Sequence, residues 1–366
     1  MKEKQGGNAE IIRPRTLYTR AVFILILFFY RREGFSMKLF TRLMAIALIA
    51  ALALTFVACS GGSETKDDGK YVIGINQLMI HDALDAATQG FKDAIIAELG
   101  EENVEFLFQD AAGSPDTCAT IASTFVTKNV DLILANATPA LQATANATLE
   151  IPILGTSITE YGVALDIDNF TGLVGGNVSG TSDLAPLDEQ AQMIIDLVPG
   201  VKTVGIIYSS TEANSAYQVK VVKTYLEAKN ITVNEYAFSD SNDIAAITQN
   251  AAAACDALYI PTDNAAASAA QTIYGAMAGN LKPVICGEEA TCKGTGIATL
   301  TISYYDLGVA TGKMAVKILK GEAKIEEMSV EYAANFTKKY NKDICDELGI
   351  DTAALEAAGY VAVVTE

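Results

Sequence analysis

From Tyr71 onward the chain repeats one unit, a short apolar run followed by a helical stretch, and that rhythm restricts the folds open to it. "YVIGI" (71–75) precedes a helix near 84–99, "VEFLFQ" (104–109) precedes one near 115–128, and "DLILA" (131–135) precedes a short helix and then "IPILGT" (151–156). The series resumes with "TVGIIY" (203–208), a helix over 213–228, "ITVNEYAF" (231–238) and a helix over 243–253. "DALYI" (256–260), a helix over 264–279 and "KPVICG" (282–287) complete it. Strands that read as continuous apolar runs are covered on both faces, as in parallel sheets flanked by crossover helices. Two such blocks predict an α/β chain of two similar doubly wound parallel-sheet lobes.

The segment "GGNVSGTSDLAP" (175–186) is rich in turn-forming residues and reads as a crossing between the lobes. The strand and helix within 296–321 read as a return to the first lobe. The expected organisation is an N-terminal lobe of 71–180 plus about 297–325 and a C-terminal lobe of 181–296 plus about 326–366, with a helix near 342–348. A three-crossing hinge would join them. In open sheets of this kind ligands bind beyond the carboxyl ends of the strands. The loops at 76–85, 136–140, 156–161, 209–215, 261–267 and 287–292 are therefore the candidates. They place short polar side chains at helix openings, where free N–H groups suit a carboxylate. The same Ser, Thr, Asp and Asn residues serve equally well as helix caps.

Two apolar runs precede this body. "AVFILILFFY" (21–30) is short of the roughly twenty residues a membrane span requires. "LMAIALIAALALTFVA" (43–58) follows Met37, Lys38 and Arg42, so residues 37–58 form a complete signal peptide if translation starts at Met37. Residues 1–36 then read as an over-extended gene start, since "RREGFSM" (31–37) can be encoded with a purine-rich ribosome-binding run. The cut site Phe56-Val57-Ala58-Cys59 resembles a bacterial lipobox, with Phe56 where Leu is usual. The resemblance implies lipid on Cys59, with 59–70 as a flexible tether to the outer face of the cell membrane.

Charge and chemistry exclude other classes. The first 58 residues carry nine Lys/Arg and three acids, so the remainder has 17 basic against 41 acidic side chains and repels nucleic acid. No nucleophile elbow, Walker loop or Cys/His zinc spacing occurs, and His81 is the single histidine, so no enzyme, cofactor or metal is expected. His81 opens a helix and reads as a rim or structural residue. Beyond Cys59 lie five cysteines; Cys286 and Cys292 flank "GEEAT" and could pair, buried free thiols being the alternative.

Six stretches carry a family resemblance: "QLMIHDALDAATQGF" (77–91), "DLILANATPALQATANAT" (131–148), "GGNVSGTSD" (175–183), "YSSTEANS" (208–215), "YIPTDN" (259–264) and "YYDLGVATGKMAVKILKGEA" (304–323). Together they resemble the tryptophan/tyrosine-type substrate-binding lipoproteins of ABC importers, over about 70–348. The resemblance implies the type I periplasmic-binding-protein clamp, with a ligand cleft between two lobes, acting as a monomer beside an ABC permease and its ATPase. The segment 158–172 departs from the family pattern on the cleft rim. An amino acid-like ligand, aromatic by resemblance, would have its carboxylate held near Thr138, Thr156 and Ser157. Its ammonium would meet Asp263 or, second, Glu212. Gln77, Asn214, Ser215 and Asn264 would complete the polar ring, with Asn136, Ser182 and Glu288 as further candidates from the same loops. A nucleoside, a small peptide, or service to a sensor partner are the alternatives.

Overall fold

The computed structural model describes residues 69–364. The expected over-extended start, signal peptide and lipidated Cys59, and nearly all of the expected tether, lie outside the described residues. Among the described residues no helix is long and apolar enough to cross a membrane.

The first lobe is a six-stranded parallel sheet: β1 (Tyr71–Gln77), β2 (Val104–Asp110), β3 (Leu132–Asn136), β4 (Ile153–Ile158), β5 (Val178–Ser182) and β11 (Glu331–Tyr332), in the order β11-β5-β4-β3-β1-β2. Its central strands β3 and β4 are buried at every position, so both faces are covered. Helices α1 (Asp82–Leu99), α2 (Pro115–Thr127) and α3 (Thr138–Ala147) supply the crossovers, and the single turn α4 (Tyr161–Ala164) follows β4. Phe91, Ile95 and Phe125 are wholly buried where the helices meet the sheet.

The second lobe opens with α5 (Leu187–Leu197) and builds its sheet from β6 (Thr203–Ser209), β7 (Thr232–Phe238), β8 (Ala257–Ile260), β9 (Val284–Cys286), β10 (Ala298–Thr301), β12 (Thr337–Tyr340) and β13 (Val361–Ala362). The order is β13-β12-β10-β9-β8-β6-β7, parallel except where β12 runs against β10. Helices α6 (Ala213–Ala228), α7 (Ile244–Ala254), α8 (Asn264–Ser268), α9 (Ala270–Ala276) and α10 (Glu289–Thr295) link these strands, and α12 (Lys342–Glu347) and α13 (Thr352–Ala357) close the chain. The expected helix over 264–279 is broken at Ala269, which caps one piece and opens the next.

Three segments cross between lobes, at 183–186, 302–303 and 333–336. Two differ from the sequence expectation. The strand within 296–321 stays in the second lobe, where β10 pairs with β9 and β12, and only the helix after it, α11 (Tyr304–Leu319), packs on the first. The residues of 326–332 likewise remain with the first lobe, because β11 pairs with β5. A strand-helix unit reads as one piece in sequence, yet the hinge here cuts between its halves.

Helix α11 lies against α1 with backbones in contact. A Cβ on Gly308 would sit 2.0 Å from the Ala87 carbonyl oxygen, and one on Gly90 would sit 2.1 Å from that of Tyr305. Only glycine permits that approach. Thr311 of α11 donates to the Thr156 hydroxyl (3.3 Å) and shares a hydrogen bond with the Thr181 hydroxyl (2.8 Å), fastening the helix to β4 and β5.

Candidate functional site

The strand orders place the site. In each sheet the chain leaves the first strand in opposite directions, toward β2 or β3 in one lobe and β7 or β8 in the other, and the loops at these switch points open a crevice. The two crevices face each other across a closed cavity of about 10 Å³, the size of one water. Its walls include His81, Leu84 and Ser157 from the first lobe, Asp183 from a crossing, and Asn214, Asp263 and Asn264 from the second lobe. On one side, beyond His81 and Ala267, lies a wider groove of about 510 Å³ between the lobes. Lys293 faces Asp82 across it at 3.7 Å.

The buried acids differ in what they have left to offer. Asp263 accepts from the Ser209 N–H (2.6 Å) and the Ala266 N–H (2.8 Å), capping α8. Glu212 accepts from the N–H groups of Asn264 (3.2 Å) and Ala265 (3.0 Å) and from the Asn264 side-chain amide (2.6 Å). Glu288 caps α10 through the Ala290 and Thr291 N–H groups, both at 2.5 Å, and also accepts from the Thr291 hydroxyl. N–H donors of the second lobe thus occupy the two residues expected to take an ammonium. Asp183 is different: Oδ2 accepts from the Tyr304 hydroxyl (2.9 Å), but Oδ1 is buried without a partner. Burial, with Glu288 nearby, raises its carboxyl to about 6, against the hydrogen bonds from Tyr304 and Thr159. Burial and the neighbouring Asp263 raise Glu212 to about 7. No arginine follows Arg42 in the sequence and no lysine lines the cavity, so neither residue type neutralises this negative charge there.

Three more buried polar atoms without a partner belong to residues on the same cavity: Ser157 Oγ, Asn214 Oδ1 and His81 Nδ1. Buried polar groups are almost always paired, so four around one water-sized space mark a place built for a guest. Ser157 also holds a left-handed backbone (φ 56°) at the irregular end of β4, a strain concentrated at the site. The cap of α1, His81, makes no side-chain bond to the first-turn N–H groups, and Ala83 and Leu84 of that turn line the cavity.

The other expected residues are used elsewhere. Gln77 donates to Asp85 (2.6 Å) and the Met79 carbonyl (2.9 Å) while accepting from Thr88 (2.6 Å), and Asn136 donates to the Leu84 carbonyl (2.8 Å). This pair secures the start of α1 within the first lobe. Ser182 donates to the Thr159 carbonyl (2.9 Å), shaping the crossing. Thr156 joins α11 to the sheet, as above. Thr138 is buried in the first turn of α3 behind Ala137 (φ 89°) and does not line the cavity. Ser215 bonds to Asp263 beside it. Cys286 and Cys292 are buried and unpaired, as are Cys118, Cys255 and Cys345. Asp183, not among the residues expected from sequence although "GTSD" stood in a singled-out segment, lines the cavity, as does His81, expected as a rim or structural residue.

Two lobes, three crossings and a buried polar cavity between them define a solute-binding clamp. The family model for ABC transporter substrate binding protein matches residues 72–357, and the chain belongs to that family, a family of binding proteins and not of enzymes. It is 32% identical over 300 residues, 79% of this chain and 86% of the relative, to a tyrosine-binding protein of Clostridioides difficile. A Streptococcus pneumoniae ABC domain in complex with L-Trp is 34% identical, with a TM-score of 0.74 over 80% of this chain and 100% of its own. The ligand-free, open structure of a substrate-binding protein with adhesive properties from Clostridium difficile is also 34% identical, over 81% of this chain and 100% of its own, yet its TM-score is 0.62.

Proposed function

We propose that this chain is the extracytoplasmic, lipid-anchored binding component of an ABC importer and that it captures an aromatic amino acid between its lobes. The observation that carries the reading is the set of unpartnered polar atoms from both lobes around one closed cavity, with a buried, unneutralised carboxylate among them. An α-amino acid supplies the complement. Its ammonium answers Asp183 Oδ1 and Asn214 Oδ1 with charge-assisted hydrogen bonds, which are strong where water is excluded. Its carboxylate answers the Ser157 hydroxyl and the first-turn N–H groups of α1.

A cavity of about 10 Å³ is far too small for a whole amino acid, so capture requires the lobes to part and close again about the crossings. The closed form would be the one read by the permease. The relatives that bind tyrosine and tryptophan support the aromatic preference. The lipid anchor rests on the Cys59 motif. Calorimetry of the body from Gly69 onward against L-tyrosine, L-tryptophan, L-leucine and a nucleoside tests the ligand class. Because the chain has no tryptophan, bound L-tryptophan is visible by its own emission. Heat from neither aromatic amino acid would sink the reading. Mass spectrometry of the mature N-terminus tests the anchor.

A further inference from the structure

His81 is the chain's single histidine and its ring stands at a junction. It opens α1 in the first lobe, it separates the closed cavity from the wider groove, and its Nε2 lies 3.2 Å from Asn264 Oδ1 in the second lobe. With Glu212 ionised, Asn264 cannot be turned the other way round. Its side-chain NH2 faces Glu212 Oε2 at 2.6 Å, and both Glu212 oxygens already accept backbone N–H groups, from Asn264 and Ala265. The amide nitrogen is therefore the atom directed at Glu212 and the amide oxygen the one directed at His81. An amide oxygen only accepts, so the proton of the imidazole sits on Nε2. In the neutral ring Nδ1 then carries a lone pair; this atom is buried without a partner, and the residue it belongs to lines the cavity.

We propose that His81 is a cross-lobe latch that reads the ligand's amine. Nδ1 accepts a hydrogen bond from the ammonium, while Nε2–H holds Asn264 and with it the second lobe. This rests on the amino acid reading above and sharpens it. With Asp183 Oδ1 and Asn214 Oδ1, His81 Nδ1 makes three unpartnered acceptors on residues lining one water-sized space, as many as the N–H donors of a primary ammonium. The site then selects for N–H as well as for positive charge. An N-trimethylated amino acid keeps the charge but has nothing to donate, and an N-acetylated one loses the charge that Asp183 requires. Occupancy and closure become coupled, because the ring that senses the amine is the ring that joins the lobes.

The test uses the protein body labelled with 15N, in which one imidazole gives the whole histidine side-chain signal. Free protein should show a ring protonated on Nε2 alone. On saturation with L-tyrosine, the Nδ1 signal should move toward the protonated range without reaching it. His81→Ala should weaken L-tyrosine binding roughly 10- to 100-fold, the size of one hydrogen bond to a charged group, mainly through faster dissociation. N-trimethyl-tyrosine should bind wild type and His81→Ala alike, and weakly. A free ring protonated on Nδ1, a ring doubly protonated in the complex, or unchanged affinity in a folded His81→Ala protein would each overturn the latch. A wild type that binds no aromatic amino acid overturns the functional reading itself. Wild-type binding with an indifferent His81→Ala variant overturns only the role of His81.

Discussion

Replacing Asp183 with asparagine should make the protein a worse binder and a more stable body. The side chain is buried, and its carboxyl sits at about 6 against an ordinary 3.8, mainly because burial penalises the charged form. The folded state therefore holds its proton more tightly than the unfolded chain does. Below 3.8 the carboxyl is neutral in both states and costs nothing; between 3.8 and about 6 the cost grows; above about 6 it is fully present. At 1.36 kcal/mol per tenfold change in acidity, the full cost is about 3 kcal/mol. Asparagine removes the charge and keeps an oxygen to accept from Tyr304. Ligand-free Asp183→Asn should gain up to about 3 kcal/mol near pH 7.5 and less than about 1 kcal/mol near pH 4. The same change strips the ammonium of its buried counter-charge, a loss of about 2–5 kcal/mol, or roughly 30-fold at the least. Urea unfolding at the two pH values and calorimetry with L-tyrosine measure the two effects. Undiminished affinity, or a stability gain that is equal at both pH values, would refute the assignment.

Ligand uptake should also release protons near pH 6, because an ammonium beside Asp183 draws its raised carboxyl back down; binding heats compared in buffers of different ionisation enthalpy report the proton count, and binding should weaken as pH falls below about 6. Gly308→Ala should destabilise the body by about 1–3 kcal/mol or more, since the new Cβ would meet the Ala87 carbonyl at 2.0 Å; thermal unfolding checks it, and an unchanged melting temperature would mean the two helices can spread at no cost. Breaking the Lys293–Asp82 pair with Lys293→Ala should change stability and affinity by no more than about 1 kcal/mol, as both side chains are solvent-exposed in part. A larger loss would make the pair a clasp of the closed form.

What was legible in the sequence follows from what is local. Strands such as "LILAN" and "TVGIIY" are buried on both faces, so their apolar runs stand out, and the turns between them separate α from β without ambiguity. The lobe to which β10 belongs was not legible, because it depends on pairing with β12, some forty residues later and antiparallel. The site divides in the same way. Ser157 and Asn214 sit in loops that strand order brings to the cavity; both line it, and each has a buried polar atom without a partner. Asp263 and Glu212 were chosen as acids in the right loops, but each is consumed by N–H groups within its own lobe, a competition that only coordinates reveal. Asp183 lies between β5 and α5 in a segment read only as a crossing between lobes; that crossing carries it to the cavity, and Tyr304, 121 residues away, fixes one of its oxygens.

The seam between α1 and α11 also decides where this molecule can be instrumented. Thr301 ends a strand of one lobe and Tyr304 starts a helix clamped to the other, so near neighbours in sequence are attached to separate bodies. A fluorophore on the outer face of α11, at Lys313, would travel with the first lobe, whereas one at Glu227 on α6 would travel with the second. Such a pair converts closure into a change of distance, with both labels on exposed positions and neither among the residues that line the cavity. Designers of optical reporters could alter the recognition loops on either lobe and keep that readout unchanged.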